Sequence, residues 1–209
     1  MTMSDEFRNF ILDNKLFESD ARILLAVSGG IDSMAMANLF LSIGMHPAVA
    51  HCNFSLRGSE SDFDETFVRD FAASHNLPFH SIRFNTKEYA RSGKISVQMA
   101  ARELRYEWFE KIRKENNYDL IAIAHNLNDN IETLLINLIR GTGITGLSGI
   151  RPAGNSVIRP LLFATRQKIT EYCTENGIAY REDRSNAETK YTRNKIRHLV
   201  MPVLREINP

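Results

Sequence analysis

Six consecutive residues, Ser28-Gly29-Gly30-Ile31-Asp32-Ser33, have the types and spacing to hold a phosphate group. Glycines let the backbone approach an anion in conformations that a side chain would block, and the unpaired N–H groups at the start of a following helix favour negative charge. A Walker A loop needs G-x-x-x-x-G-K-[ST], with a lysine reaching the outer phosphates. Here an acid, Asp32, stands where that chemistry wants a base, which argues against γ-phosphate transfer of that type. A carboxylate cannot usefully face phosphates bare, so Asp32 is the unusual member of such a cradle. The plainer alternative is a strand-to-helix turn in which Asp32 serves the helix dipole.

A second group of chemical side chains lies in His125-Asn126-Leu127-Asn128-Asp129-Asn130-Ile131-Glu132-Thr133. Asp129 and Glu132 are three apart and so neighbour each other on a helix. The apolar residues Ile131, Leu134, Leu135, Leu138 and Ile139 predict a buried stripe with the two acids off it. Two carboxylates beside a phosphate cradle could hold a metal or an ammonium group. An acid at a helix start with another three residues later is also what capping selects. Spacing leaves both readings open.

These residues need strands and helices to position them. Apolar runs at 23–27, 47–52, 79–84, 120–124 and, more weakly, 157–158 read as strands. Helical patterns fall at 7–16, 34–41, 60–75, 97–116, 129–140, 166–176 and 193–200. The alternation predicts an α/β fold, a doubly wound and mainly parallel five-stranded sheet with helices on both faces. The clearest helix is 97–116, where Val97, Ala101, Leu104, Trp108 and Ile112 make one stripe, with Arg105 beside it and Arg102 further round. In such sheets ligands bind beyond the carboxyl ends of the strands, where the first loop, His51, Asn53 and His125 all fall. The glycine-rich run from Arg140 to Gly149 reads as a connector after a helix.

A chain of 209 residues suffices for one buried α/β core, expected over about 20–160, with a short helical and basic extension over about 161–209. The composition, 43% hydrophobic and 24% charged, is that of a soluble globular protein, and no apolar run approaches a membrane span. The amino-terminal residues carry no basic-then-apolar secretory pattern, so a cytoplasmic location is expected. Cys52 and Cys173 have no partner at metal-ligand or redox spacing and read as packed, reduced thiols. The net charge of +1 says nothing for a nucleic-acid partner, but residues 181–205 carry seven Lys/Arg against three acids. That patch could neutralise phosphates or be an ordinary solvated helix face.

Taken together, these motifs carry a family resemblance. The first loop is similar to the pyrophosphate loop of the N-type ATP pyrophosphatases, whose fold is adenine nucleotide alpha hydrolase-like. Its companions are His51-Cys52-Asn53-Phe54-Ser55-Leu56-Arg57-Gly58, the acidic stretch 60–65, Ala101-Arg102-Glu103-Leu104-Arg105-Tyr106 and the His125 to Thr133 segment. Further along stand the glycine-rich run, Arg159-Pro160-Leu161, Asp183-Arg184-Ser185-Asn186 and Arg193-Asn194-Lys195-Ile196-Arg197-His198. In this order they resemble the motifs of the tRNA(Ile)-lysidine synthetases. The resemblance implies a ligase. ATP adenylates the C2 oxygen of the wobble cytidine of a CAU-anticodon isoleucine tRNA, releasing pyrophosphate, and the ε-amine of free L-lysine then displaces AMP.

Carried over position by position, the resemblance implies that Ser28, Gly29, Gly30, Ile31, Asp32 and Ser33 bind ATP, with His51, Asn53 and His125 near the nucleotide. It gives Asp32 to Mg2+ and catalysis, and Asp129 with Glu132 to the lysine and reaction site. Arg57, Arg102, Arg105, Arg193 and Arg197 fall to phosphate or tRNA. Members often carry His at the positions of Asn126 and Phe54 and Gln at that of Asn130, so no role transfers to those three. The family usually continues into smaller tRNA-gripping domains, which implies that this chain is the catalytic part of a longer protein; a homodimer is compatible with it. Two other readings remain. A pyrophosphate-loop tRNA thiolase would share the first loop but usually carries a cysteine pair, and a non-catalytic nucleotide-binding module would need no acidic pair.

Overall fold

The computed structural model describes residues 1–181 and 192–207. Strands β1 (Ile23–Ala26), β2 (Ala48–Asn53), β3 (Phe79–Arg83), β4 (Leu120–Ile123), β5 (Ala153–Gly154) and β6 (Val157–Ile158) form one sheet in the order β3-β2-β1-β4-β6-β5. All neighbours run parallel except β5 and β6. The doubly wound sheet expected from the apolar runs is present, with a sixth strand added at the edge. Sequence reasoning missed β5 because its two residues are exposed and give no apolar signal.

β1 is apolar throughout because it is covered on both faces. Leu25 packs with Phe7, Met34, Phe40 and Ile169 in one core, while Leu24 packs with Trp108, Phe109 and Ile121 in the other. The first core is closed by α1 (Met3–Asp13), α2 (Ile31–Ser42), α3 (Ser59–Ser74) and α7 (Arg166–Glu175). The second is closed by α5 (Val97–Glu115). α2 is buried on nearly every side, which explains its run of Met, Ala, Leu and Phe without polar alternation. α7, expected in a helical extension, contributes Ile169, Tyr172 and Cys173 to the first core. No helix among the described residues is long and apolar enough to cross a membrane.

Three elements depart from the expectations. α4 (Thr86–Gly93) was not foreseen: it is short, mostly polar and capped by Asn85. In α5 the buried residues are Ala100, Ala101, Trp108 and Phe109, while Val97 is exposed, because the burial axis is set by the sheet and the first turn overhangs it. The largest correction concerns α6 (Leu127–Ile139). Glu132, expected off the buried stripe, is its one fully buried residue, whereas Leu134, Leu138 and Ile139 are exposed. The reason lies in α6's principal neighbours. They are the 3-10 turn Ile144–Ser148 and the carboxy-terminal helices, not a face of the sheet. Those carboxy-terminal elements are α8 (Thr192–Lys195) and a π-helical turn (Ile196–Val200), which leads into α9 (Met201–Ile207).

Candidate functional site

β1 ends at Ala26, and the chain turns through Ser28, Gly29 and Gly30 into α2. Gly29 sits at φ +90, which L side chains rarely adopt; a Cβ there would meet Val68 and Phe67 only at ordinary contact distance, so the backbone angle is what calls for glycine. Gly30 caps α2 without a side-chain hydrogen bond, so the donors of the first turn are not consumed by the cap. The serines knit the loop together. Ser33 Oγ donates to the Gly30 carbonyl at 2.8 Å, and the Ser28 N–H donates to Ser33 Oγ at 3.2 Å. On the far side the Arg181 N–H donates to the Gly29 carbonyl at 2.9 Å, tying the segment after α7 across the loop.

Above this loop lies a cavity of about 660 Å³, within the range of small-ligand sites. Ala50, Cys52, Phe54, Phe109 and Ile123 give it apolar walls; Ser28, Gly30, Asp32 and Ser33 give it a polar floor. Three arginines line it: Arg105, Arg166 and Arg181. Arg181 is held by Glu60 (2.7 Å) and by Asp64, which also pairs with Arg57 at 2.5 Å. Arg105 lies over the Phe54 ring at 5.2 Å and has no carboxylate partner among the described residues. Burial pulls its guanidinium below the ordinary range. A cation held in an apolar wall without a counter-charge favours an anionic ligand.

A second cavity, of about 530 Å³, opens beside the first and is lined by Asn126, Asn128, Asp129, Glu132, Arg197 and His198 among others. Asp32 and Arg166 line both cavities. They are ion-paired to each other through Arg166 Nη1 and Asp32 Oδ2, and Asn126 Nδ2 donates to Asp32 Oδ1 at 3.1 Å. Burial pushes the Asp32 carboxyl above its ordinary value; Arg166 and Asn126 work against that shift, and Asp129 adds to it.

Capping, one of the two readings that spacing left open for Asp129, is present in the structure. Asp129 Oδ2 accepts from the Asn126 N–H at 3.1 Å in a capping box, while Oδ1 faces Arg197 Nη2 at 3.5 Å. Glu132, 2% exposed, takes a bidentate pair from Arg197 at 2.7 and 3.1 Å. Burial works against the charge on Arg197. Its hydrogen bonds to Glu132 and the charges of Glu132, Asp129 and Asp32 outweigh that and hold it above the ordinary value.

The predicted site residues therefore sort into groups. Ser28, Gly30, Ile31, Asp32, Ser33, His125 and Arg105 line the first cavity, with Gly29 shaping its loop. Asp129, Glu132 and Arg197 meet in the second, so Arg197 faces acids where phosphate or tRNA was expected. His51 and Asn53 line neither. His51 Nδ1 is bonded to the Val27 carbonyl, and Asn53 donates to Asp62 and Glu65, so both are buried braces beneath the loop. Arg57 is engaged by Asp64, and Arg102 stacks on Tyr106 at 4.8 Å, away from both cavities. The side chain of Arg193 and the Asp183–Asn186 motif lie outside the described residues.

The three positions that depart from the resemblance all have work. Asn126 caps α6 and bridges to Asp32; Phe54 supports Arg105; Asn130 Oδ1 accepts the Ile150 N–H at 2.6 Å. Sequence reasoning missed Arg166, which opens α7 behind the Thr165 cap and carries no local motif, and saw Arg181 only as part of a charge count.

The PP-loop domain family matches residues 2–204. The chain belongs to that family. Membership implies ATP binding. Among curated relatives, a tRNA(Ile)-lysidine synthase of Bacteroides thetaiotaomicron is 48% identical over 96% of this chain and 47% of its own length. One of Porphyromonas gingivalis is 46% identical over 100% of this chain and 46% of its own. The chain thus spans about half the length of the curated relatives it matches. A solved U34-tRNA thiolase from Methanococcus maripaludis, with its [4Fe-4S] cluster, superposes with a TM-score of 0.77 at 16% identity, covering 98% of this chain and 73% of that one. That likeness is one of fold.

Proposed function

We propose that this PP-loop chain is the catalytic part of a tRNA(Ile)-lysidine synthetase, a ligase that joins free L-lysine to C2 of the wobble cytidine in a CAU-anticodon isoleucine tRNA. The observation that carries the reading is the shared wall: a phosphate-loop cavity and an acidic cavity meet at Asp32 and Arg166. A two-step reaction needs that adjacency, because the group activated in one cavity must be attacked from the other. The relatives' names and the extent of their identity support the substrate assignment.

In this reading the 28–33 loop receives the β and γ phosphates of ATP, and the apolar wall of the first cavity takes the adenosine. The cytidine C2 oxygen attacks the α phosphorus, and pyrophosphate leaves. The lysine ε-amine, deprotonated, then attacks C2, and AMP departs with the former C2 oxygen. Arg105, Arg166 and Arg181 offset charge that gathers on the phosphates during the first step. Asp129 and Glu132 supply the acidic partner for an ammonium group of lysine. Asp32 is the carboxylate that would hold Mg2+, an ion that habitually binds through one or two carboxylates plus substrate phosphates, in place of its pair with Arg166; when bound, it would screen the phosphate charge.

The thiolase reading has the fold neighbour in its favour. It needs sulfur or cluster ligands brought together, whereas Cys52 packs on one face of the sheet and Cys173 in the core of the other. Among the described residues no three His, Cys, Asp or Glu side chains are grouped to hold a metal ion. The decisive experiment supplies ATP, L-lysine and either a CAU- or a GAU-anticodon tRNA, and measures pyrophosphate release and lysine incorporation. Lysine incorporation confined to the CAU transcript supports the proposal; pyrophosphate release unaffected by lysine, with no lysine incorporated, removes it.

A further inference from the structure

The acidic cavity already contains a cation. Arg197 reaches it from the π-helical turn Ile196–Val200 and engages both oxygens of Glu132 and one of Asp129. These are the groups that the proposed function assigns to the ammonium of lysine, and Glu132 is too buried to serve two cations at full strength. We infer that Arg197 is a resident occupant of the ammonium subsite, so that lysine binds by exchange against this guanidinium and not into an open acidic pocket. The inference rests on the lysine reading of that cavity.

Two further observations fit an exchangeable side chain. π-helical turns are rare and concentrate at functional positions, and this one sets Arg197 next to Ile196, the buried residue of the turn. Beyond Ile196, Leu199, Val200, Val203 and Leu204 are exposed, while Met201, half-buried, lines the acidic cavity. The element thus buries little apolar surface besides Ile196, which makes it a low-cost place for local rearrangement. The Arg197 side chain is itself 37% exposed and has a path to solvent when displaced. An occupied subsite also has a selective effect. A ligand must offer a cation good enough to replace a bidentate guanidinium, so amino acids lacking a matching ammonium gain nothing by entering.

The test is equilibrium binding of L-lysine, by calorimetry, to the full 209-residue chain and to R197M, which keeps the length of the stem and removes the guanidinium. Exchange requires R197M to bind lysine at least tenfold more tightly than wild type. Methylguanidine should compete with lysine on R197M and leave wild-type binding unchanged, a behaviour that a merely structural arginine would not produce. A well-folded R197M that binds lysine equally or more weakly overturns the exchange and makes Arg197 a clamp for the substrate. Failure of both chains to bind lysine at millimolar concentration overturns the reading of the cavity itself. Should R197M not fold, the wild-type chain still decides. The Arg197 Nε–H resonance, protected by Glu132 in the free protein, should shift or broaden on lysine addition, and lysine binding that leaves it unmoved refutes the exchange.

Discussion

Replacing Asp32 by Asn separates the cost of this carboxylate to the fold from its use in the reaction. Asn is isosteric, so the Asn126 Nδ2 donor at 3.1 Å keeps an acceptor, and the loss is confined to the pair with Arg166. That arginine is 48% exposed and can turn to water, which limits the lost ion pair to less than about 1 kcal/mol. Against it stands relief of desolvation. Burial raises the Asp32 pKa above its ordinary 3.8, so the folded chain binds this proton more tightly than the unfolded one. Stability therefore falls as pH rises from about 3.8 through the folded value, and ionised Asp32 remains a cost above that window. The D32N chain lacks this slope. Its thermal midpoint at neutral pH should lie within about 2–4 °C of wild type, on the higher side, and the gap should close in acid. Catalysis should behave oppositely. If Asp32 holds a cation against the phosphates, its loss should cost about 3–4 kcal/mol in the adenylation transition state, or roughly 10²- to 10³-fold in pyrophosphate release. Pyrophosphate release within threefold of wild type by a folded D32N chain would refute the assignment. A midpoint lowered by ten degrees would refute the electrostatic account.

The E132Q variant should lose about 1–3 kcal/mol of stability because Arg197 exchanges a charged partner for a neutral one in a buried setting, and its lysine half-saturation should rise while ATP affinity holds; calorimetry with each ligand checks both. Gly149→Ala should be clearly more damaging than Gly141→Ala. Both glycines have positive φ, but a Cβ on Gly149 would strike Asn130 Oδ1 whereas one on Gly141 meets open space. About 2–4 kcal/mol against about 1 is expected, read from denaturant midpoints. Burial pushes the Cys52 thiol up to about 12 and that of Cys173 to about 11, so neither should be alkylated at pH 7.5 until the chain unfolds, a difference that mass spectrometry resolves. Changing both to Ala should cost about 1–3 kcal/mol of stability and leave pyrophosphate release intact.

What could be read in the sequence was local. The 28–33 loop declares itself because its glycines, serines and acid are contiguous and flanked by a strand and a helix, and Asp129 with Glu132 is legible because helical spacing makes them neighbours. Partners contributed by distant segments were not legible. Arg197 meets Glu132 across 65 residues and Arg166 meets Asp32 across 134, and no local periodicity encodes either encounter. Arg197 could be counted as a cation but not assigned to acids, and Arg166 carried no motif at all.

α6 shows the limit most clearly. Its periodicity correctly announced an amphipathic helix, but a stripe of Ile and Leu states which face is apolar and not which face finds a cover. The sheet faces are already closed by α1, α2, α3, α5 and α7. α6 instead meets the carboxy-terminal helices on its acidic side, and that encounter buries Glu132 together with a counter-ion while Leu138 and Ile139 stay 56% and 69% exposed. A carboxylate drawn into the interior in place of a leucine is poor packing economy, and it persists only with a bidentate cation beside it. The same arrangement that defeats the hydrophobic rule concentrates carboxylates one wall away from the 28–33 loop, so the misreading of α6 and the location of the proposed ammonium subsite have a single physical origin.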